Sequence, residues 1–132
     1  MSTKTAVKTD KAPGAIGPYS QAIKIGDFVF TSGQIPMPAQ GSVLDGTEIR
    51  QQTRRAIANV AAVLDASGSH ISKAIKTTVF LMDMAHFAAF NEEYEAYLKE
   101  HAPGAPFPAR STVQVAGLPR GALVEIECVA SL

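Results

Sequence analysis

Pro108-Ala-Arg-Ser-Thr-Val-Gln-Val-Ala-Gly-Leu-Pro119, followed closely by Val124-Glu-Ile-Glu127, is the stretch whose reading decides the fold of this chain. Residues 110 to 115 alternate Arg, Thr and Gln with Ser, Val and Val, the period-two pattern of a strand with one polar face. The last segment alternates as well, with Leu123, Glu125, Glu127 and Val129 on one face and Val124, Ile126, Cys128 and Ala130 on the other. The pattern predicts neighbouring apolar strands that carry an arginine and carboxylates. A guanidinium fork takes a planar carboxylate through two parallel charge-assisted bonds, so this arrangement points to a binding site for a small acid. Taken in isolation, Arg110 and a glutamate describe equally well an ordinary cross-strand ion pair, or acids on a wet strand face, worth little to stability. The residues alone leave these alternatives open.

Outward from that stretch, Gly17 to Ile25 reads as a strand, Gly26-Asp27 as a turn, and Phe28 to Ile35 as the second arm of a hairpin. A further strand is possible near Thr3 to Lys8. After the Pro- and Gly-containing segment 36–46, Asp45 or Thr47 is placed to cap a helix running to about Ser67, with Gly68 ending it. Ile49, Ala56, Ile57, Val60 and Leu64 recur there at helical spacing, while Arg50, Gln51, Arg54 and Arg55 fall mostly on other faces. Ile75 to Met82 is β-rich without clean alternation, as a strand covered on both faces would be. Asp83 then caps a second helix whose apolar stripe is Phe87, Phe90, Tyr94, Tyr97 and Leu98, read as core. The expected fold is α+β, a mixed sheet with two helices on one face. Strands such as Phe28-Val-Phe30 and Val79-Phe-Leu81 are apolar on both faces, and in so short a chain copies of itself are the economical cover for the second face. That predicts a closed homo-oligomer with sites made by two subunits.

At 132 residues the chain reads as a single domain spanning 1–132, large enough to bury its own core. Twelve basic residues balance twelve acidic ones, so no overall field draws in nucleic acid or an anionic membrane. The only cysteine, Cys128, excludes an internal disulfide and reads as a buried small hydrophobe, which fits a reducing, cytoplasmic setting. The N-terminus has no apolar run of signal-peptide length, and no stretch approaches a membrane span. His70, His86 and His101 lack metal-ligand spacing, and neither a GxSxG elbow nor a phosphate-binding loop occurs. No metal and no cofactor are expected.

Gly17-Pro18-Tyr19-Ser20-Gln21-Ala22, Thr31-Ser32-Gly33-Gln34-Ile35-Pro36, Asn91 in the second helix, and Pro108-Ala-Arg110-Ser through Glu125-Ile126 together resemble, in order and spacing, the RidA/YjgF reactive-intermediate deaminase family. The resemblance covers nearly the whole chain. It implies a chorismate-mutase-like fold with a mixed six-stranded sheet, trimerising through the face opposite the helices, and a ligand cleft at each subunit interface. It also implies hydrolysis of 2-imino acids and their enamine tautomers, the products of pyridoxal-phosphate dehydratases, to 2-keto acids and ammonia. By similarity to the family, Arg110 clamps the substrate carboxylate and backbone amides near Gly33 and Thr112 add donors. Ser32, Asn91 and Tyr19 complete the pocket, and Glu125 positions the attacking water. Many relatives carry cysteine where this chain has Thr112, so thiol chemistry at that position is absent here. Relatives have also been described as endoribonucleases and translation inhibitors. Zero net charge and a basic surface confined to Lys73, Lys76, Arg50, Arg54 and Arg55 offer that activity little. A keto-acid-sensing or chaperone-like binding module would use the same arginine and remains the other alternative.

Overall fold

The computed structural model describes residues 3–132, so Met1 and Ser2 of the N-terminal reading lie outside the described residues. Its strands are β1 (Thr5–Val7), β2 (Ala22–Ile25), β3 (Phe28–Thr31), β4 (Ala74–Leu81), β5 (Ala109–Gln114) and β6 (Val124–Ser131). Helix α1 spans Ile49–Ala66 and α2 spans Phe87–His101. The strands form one six-stranded sheet in the order β1-β2-β3-β6-β4-β5, antiparallel except for the β4–β5 pair. The expected α+β architecture with a mixed sheet and two helices is what the chain adopts, including the hairpin turning at Gly26 and the short N-terminal strand.

Why the chain builds these layers follows from its periodicities. Val124, Ile126, Cys128 and Ala130 of β6 are buried together with Thr77, Val79 and Leu81 of β4, and the apolar stripes of α1 and α2 close over them. Ile57, Val60, Leu64, Phe90 and Ile126 are 0–1% exposed, and each large aliphatic or aromatic side chain buried this way contributes about 1.5–3 kcal/mol. Gly68, at φ +83°, supplies the left-handed residue that ends α1, and Ser69 N–H then bonds the Leu64 carbonyl at 2.9 Å.

Local readings shift in several places. The segment 17–21 forms turns, and β2 begins only at Ala22. Neither Asp45 nor Thr47 caps α1; its N-cap is Glu48, without a side-chain bond, and Asp45 instead accepts from Arg55 at 3.0 Å. Asp83 does cap, accepting from Ala85 N–H, but it caps a 3-10 turn at Met84–His86 that leads into α2. The β4 strand alternates once its bulge between Ala74 and Lys76 is passed: Thr77, Val79 and Leu81 are buried, whereas Thr78 and Phe80 face the side away from the helices. On that side Ile25, Phe28, Phe30 and Val113 are each 39–45% exposed. The arginines of α1 bridge to α2, Arg50 to Glu92 at 3.3 Å and Arg54 to Glu93 and Glu100 at 3.4 and 2.6 Å. Exposed pairs of this kind add little to stability.

Candidate functional site

The register of the sheet separates residues that their sequence spacing had joined. β5 and β6 are not neighbours, because β4 lies between them, with Thr77 opposite both Arg110 and Cys128. Residues in register share a face, so Arg110 and Thr112 lie with Thr77 and Val79 on the helix side. Glu125 and Glu127 lie with Phe80 and Thr78 on the opposite side. Within one chain Arg110 therefore makes no cross-strand ion pair with either glutamate, and among the described residues no carboxylate comes within 4.0 Å of it.

On the helix side, Arg110 extends beneath α2 at the outer edge of the sheet. Its guanidinium carbon sits 5.5, 5.6 and 5.0 Å from the ring centroids of Phe87, Phe90 and Tyr94. An open cleft of about 520 Å³ is lined there by Asn91, Glu92, Tyr94, Glu95, Phe107, Pro108 and Arg110. Asn91, one turn after Phe87 on α2, thus joins Arg110 at the cleft. Thr112 follows Arg110 on the same face, and its Oγ1 is buried with no partner. A neighbouring apolar cleft of about 470 Å³ shares Phe107 and Pro108 but offers Lys99 as its one charged group.

On the opposite side, Gly33 follows the end of β3, and the next residue, Gln34, bridges to Ile126 with N–H···O distances of 2.8 and 3.1 Å. This pairing lays the loop against β6. The Glu125 side chain crosses directly over Gly33: a Cβ at that position would stand 2.5 Å from its Oε2 and 2.7 Å from its Cδ. A side chain there would have to displace the carboxylate. Ser32 donates its hydroxyl to the Ser20 carbonyl at 2.6 Å, and its N–H bonds Gln21 O at 2.9 Å, which ties the turn carrying Tyr19 to the same loop. The Tyr19 ring is half exposed and lies against Gly17. Among the described residues the Gly33 N–H has no acceptor. Burial, and after it the negative charge of Glu127, holds the Glu125 carboxyl above the usual glutamate range.

The expected residues thus form two clusters in one chain: Arg110 and Thr112 on the helix side with Asn91 of α2 beside the arginine's cleft, and Gly33 and Glu125 on the far face of the sheet, with Ser32 tying the turn that carries Tyr19 to the Gly33 loop. The first can receive a carboxylate, and the second holds a basic carboxylate beside a free backbone donor. Sequence reasoning assigned Phe87, Phe90 and Tyr94 to the core alone. Core packing and an aromatic floor under a cation share the same helical spacing, so only the position of Arg110 distinguishes them. The segment Phe107-Pro108, directly before the quoted alternation, was the legible hint of a second cleft wall.

Comparison with known proteins shows the family and the fold. The family described as Endoribonuclease L-PSP matches residues 9–132. A Salmonella typhimurium protein named 2-iminobutanoate/2-iminopropanoate deaminase is 45% identical over 125 residues, covering 94% of each chain. The chloroplastic Reactive Intermediate Deaminase A of Arabidopsis thaliana is 44% identical over 129 residues, which are 98% of this chain and 66% of the plant protein. Among solved structures, Escherichia coli TdcF with bound serine superposes with a TM-score of 0.92 at 42% identity, covering 97% of this chain and 98% of that one. The Escherichia coli YjgF gene product gives 0.91 at 41% identity, covering 96% and 98%.

Proposed function

The chain belongs to the RidA/YjgF/TdcF family of reactive intermediate deaminases, and from that premise we propose that it hydrolyses short 2-imino acids and their enamine tautomers to 2-keto acids and ammonia. The observation that carries this reading is Arg110: a cation at the floor of a cleft, held over aromatic rings, with its fork not taken by any carboxylate of the described chain. Such a group is prepared for the planar carboxylate that every 2-imino acid carries.

In the proposed reaction Arg110 binds the carboxylate and Asn91 borders the cleft beside it. Glu125 accepts a proton from water as the water oxygen bonds to the C=N carbon. The resulting carbinolamine takes that proton from Glu125 on its nitrogen, its C–N bond breaks, and its hydroxyl returns a proton to Glu125 as the keto C=O forms and ammonia leaves. A carboxyl with a raised pKa suits both transfers, being a stronger base when ionised and a donor once protonated. The iminium carbon is already electrophilic, so positioning supplies most of the acceleration.

Because the two clusters occupy opposite faces of one sheet, the proposal requires a second copy. The exposed apolar face around Phe28, Phe30 and Val113 supports a closed homotrimer in which Glu125 of one subunit meets Arg110 of the next. The ion pairs that occupy the α1 arginines weigh against an RNA-cleaving reading, since they leave fewer free cations for phosphates.

The test is keto acid and ammonia release from imines generated in situ by a serine or threonine dehydratase, with Arg110→Ala and Glu125→Ala compared at matched oligomeric state. Acceleration by wild type that is lost in both variants supports the assignment. No acceleration by folded protein across short and bulky imines overturns it, and retained keto-acid binding would then favour a sensing module.

A further inference from the structure

What orients Arg110 is not a hydrogen bond. Among the described residues its guanidinium donates to no acceptor and pairs with no acid, yet it lies over three rings whose residues, 87, 90 and 94, recur along one face of α2. Tyr94 is the nearest, at 5.0 Å, and differs from the two phenylalanines in having a polar end. Its hydroxyl is hydrogen bonded to Thr77 Oγ1 at 2.6 Å, a buried contact between α2 and β4. Thr77 is the residue in direct register with Arg110, so the bond pins the ring to the rung of the sheet from which the arginine projects. Phe90 packs behind Tyr94 with centroids 5.4 Å apart and is fully buried, which removes rotational freedom from the pair.

We propose that Tyr94, locked by Thr77, is a positioning residue that fixes the plane of the Arg110 guanidinium and so leaves its fork free and correctly aimed for a substrate carboxylate. This rests on the reading of Arg110 as the carboxylate clamp. An arginine anchored by an acid would have spent part of its fork; one anchored through its face keeps all in-plane donors. The phenol is suited to the task because burial pushes its pKa up, against smaller opposing effects of Thr77 and Arg110, so it stays a neutral hydroxyl.

The decisive measurement is the NMR order parameter of the Arg110 Nε–H bond in full-length wild type, Tyr94→Phe, Thr77→Val and Tyr94→Leu, alongside KM and kcat for a dehydratase-generated imine. Tyr94→Phe and Thr77→Val should each loosen the guanidinium to the same extent, and the double variant should be no looser than either. Tyr94→Leu should loosen it further and raise KM by about tenfold, the scale of a lost partly desolvated cation–π contact, while kcat changes far less. In an Arg110→Ala background none of these substitutions should have a further effect on KM. Unchanged Arg110 order in Tyr94→Phe and Thr77→Val, or equal losses with and without Arg110, would overturn the proposal. A wild-type protein that turns over no imine would refute the deaminase reading instead, and the NMR comparison would still decide whether Tyr94 positions Arg110.

Discussion

Replacing Gly33 with alanine separates the placement of Glu125 from its chemistry. The added Cβ would stand 2.5 Å from Glu125 Oε2, 2.7 Å from Cδ and 3.0 Å from Cγ, whereas ordinary contact begins at 3.4 Å. The carboxylate must therefore retreat by roughly 0.9 Å, and because the obstructing atoms end a flexible side chain, it can do so by rotating rather than by moving β6. Misplacement of a catalytic group by about 1 Å costs on the order of 100-fold, equivalent to about 2.7 kcal/mol of barrier. Stability should move little, since alanine in place of glycine also lowers the entropy of the unfolded chain, an effect worth about 0.4–1 kcal/mol in the opposite direction to any residual strain. The expected outcome is a folded Gly33→Ala protein with near-wild-type melting, an oligomeric state like the parent's, and kcat/KM for imine hydrolysis reduced about 100-fold. In a Glu125→Ala background the same substitution should cost almost nothing, because the displaced group is gone. Full activity in Gly33→Ala, or an equal loss with and without Glu125, would refute the reasoning that this glycine exists to admit the carboxylate.

Other consequences are open to direct measurement. Burial, and after it the charge of Glu127, holds Glu125 above the ordinary glutamate value of 4.5, so the acid limb of kcat/KM should lie above pH 4.5, and Glu127→Gln should move it to lower pH. The native carboxyl then holds its proton more tightly than the unfolded one, so stability contributed by this group falls as pH rises from about 4.5 through its native pKa; a urea titration across that window checks the sign. If one site draws on two copies, co-expressing Arg110→Ala with Glu125→Ala should restore roughly a quarter of wild-type activity in mixed oligomers, and none should return if each chain is self-sufficient. Gln52, buried in α1, accepts from Leu123 N–H at 2.8 Å and donates to Gly46 O at 2.9 Å, so Gln52→Ala should cost about 2–3 kcal/mol in denaturant unfolding by orphaning both. Burial pushes the Cys128 thiol up to about 12, and it should resist thiol reagents at pH 8 until the protein unfolds.

Much of this fold was legible because it is local. Alternation over 110–115 and 123–130, the apolar stripes of both helices, the Gly26-Asp27 turn and the Gly68 stop each arise from residues within a few positions of one another. Helix α1 began beyond its predicted cap because Asp45 found a partner in Arg55, a contact ten residues away that no capping preference anticipates. The buried polar residues Gln52 and Asn59 were missed for a related reason. Both serve loop carbonyls or amides far along the chain, Asn59 donating to the Ile35 and Met37 carbonyls at 3.0 and 2.8 Å.

The residues proposed for chemistry were named by type and motif, and their grouping came from the tertiary structure. Period-two alternation tells which residues of one strand share a face, but it carries no information on the parity of that face relative to another strand. Parity is settled by register, and a slip of one residue reverses it. Here β6 inserts between β3 and β4, so that Thr77 opposes Arg110 on one flank while Phe80 opposes Glu125 on the other. The sequence by itself determined the elements, the core and the identity of the arginine and the glutamate. Only the folded sheet decided that these two groups face opposite sides of one chain, because that relation depends on pairings between segments distant in sequence.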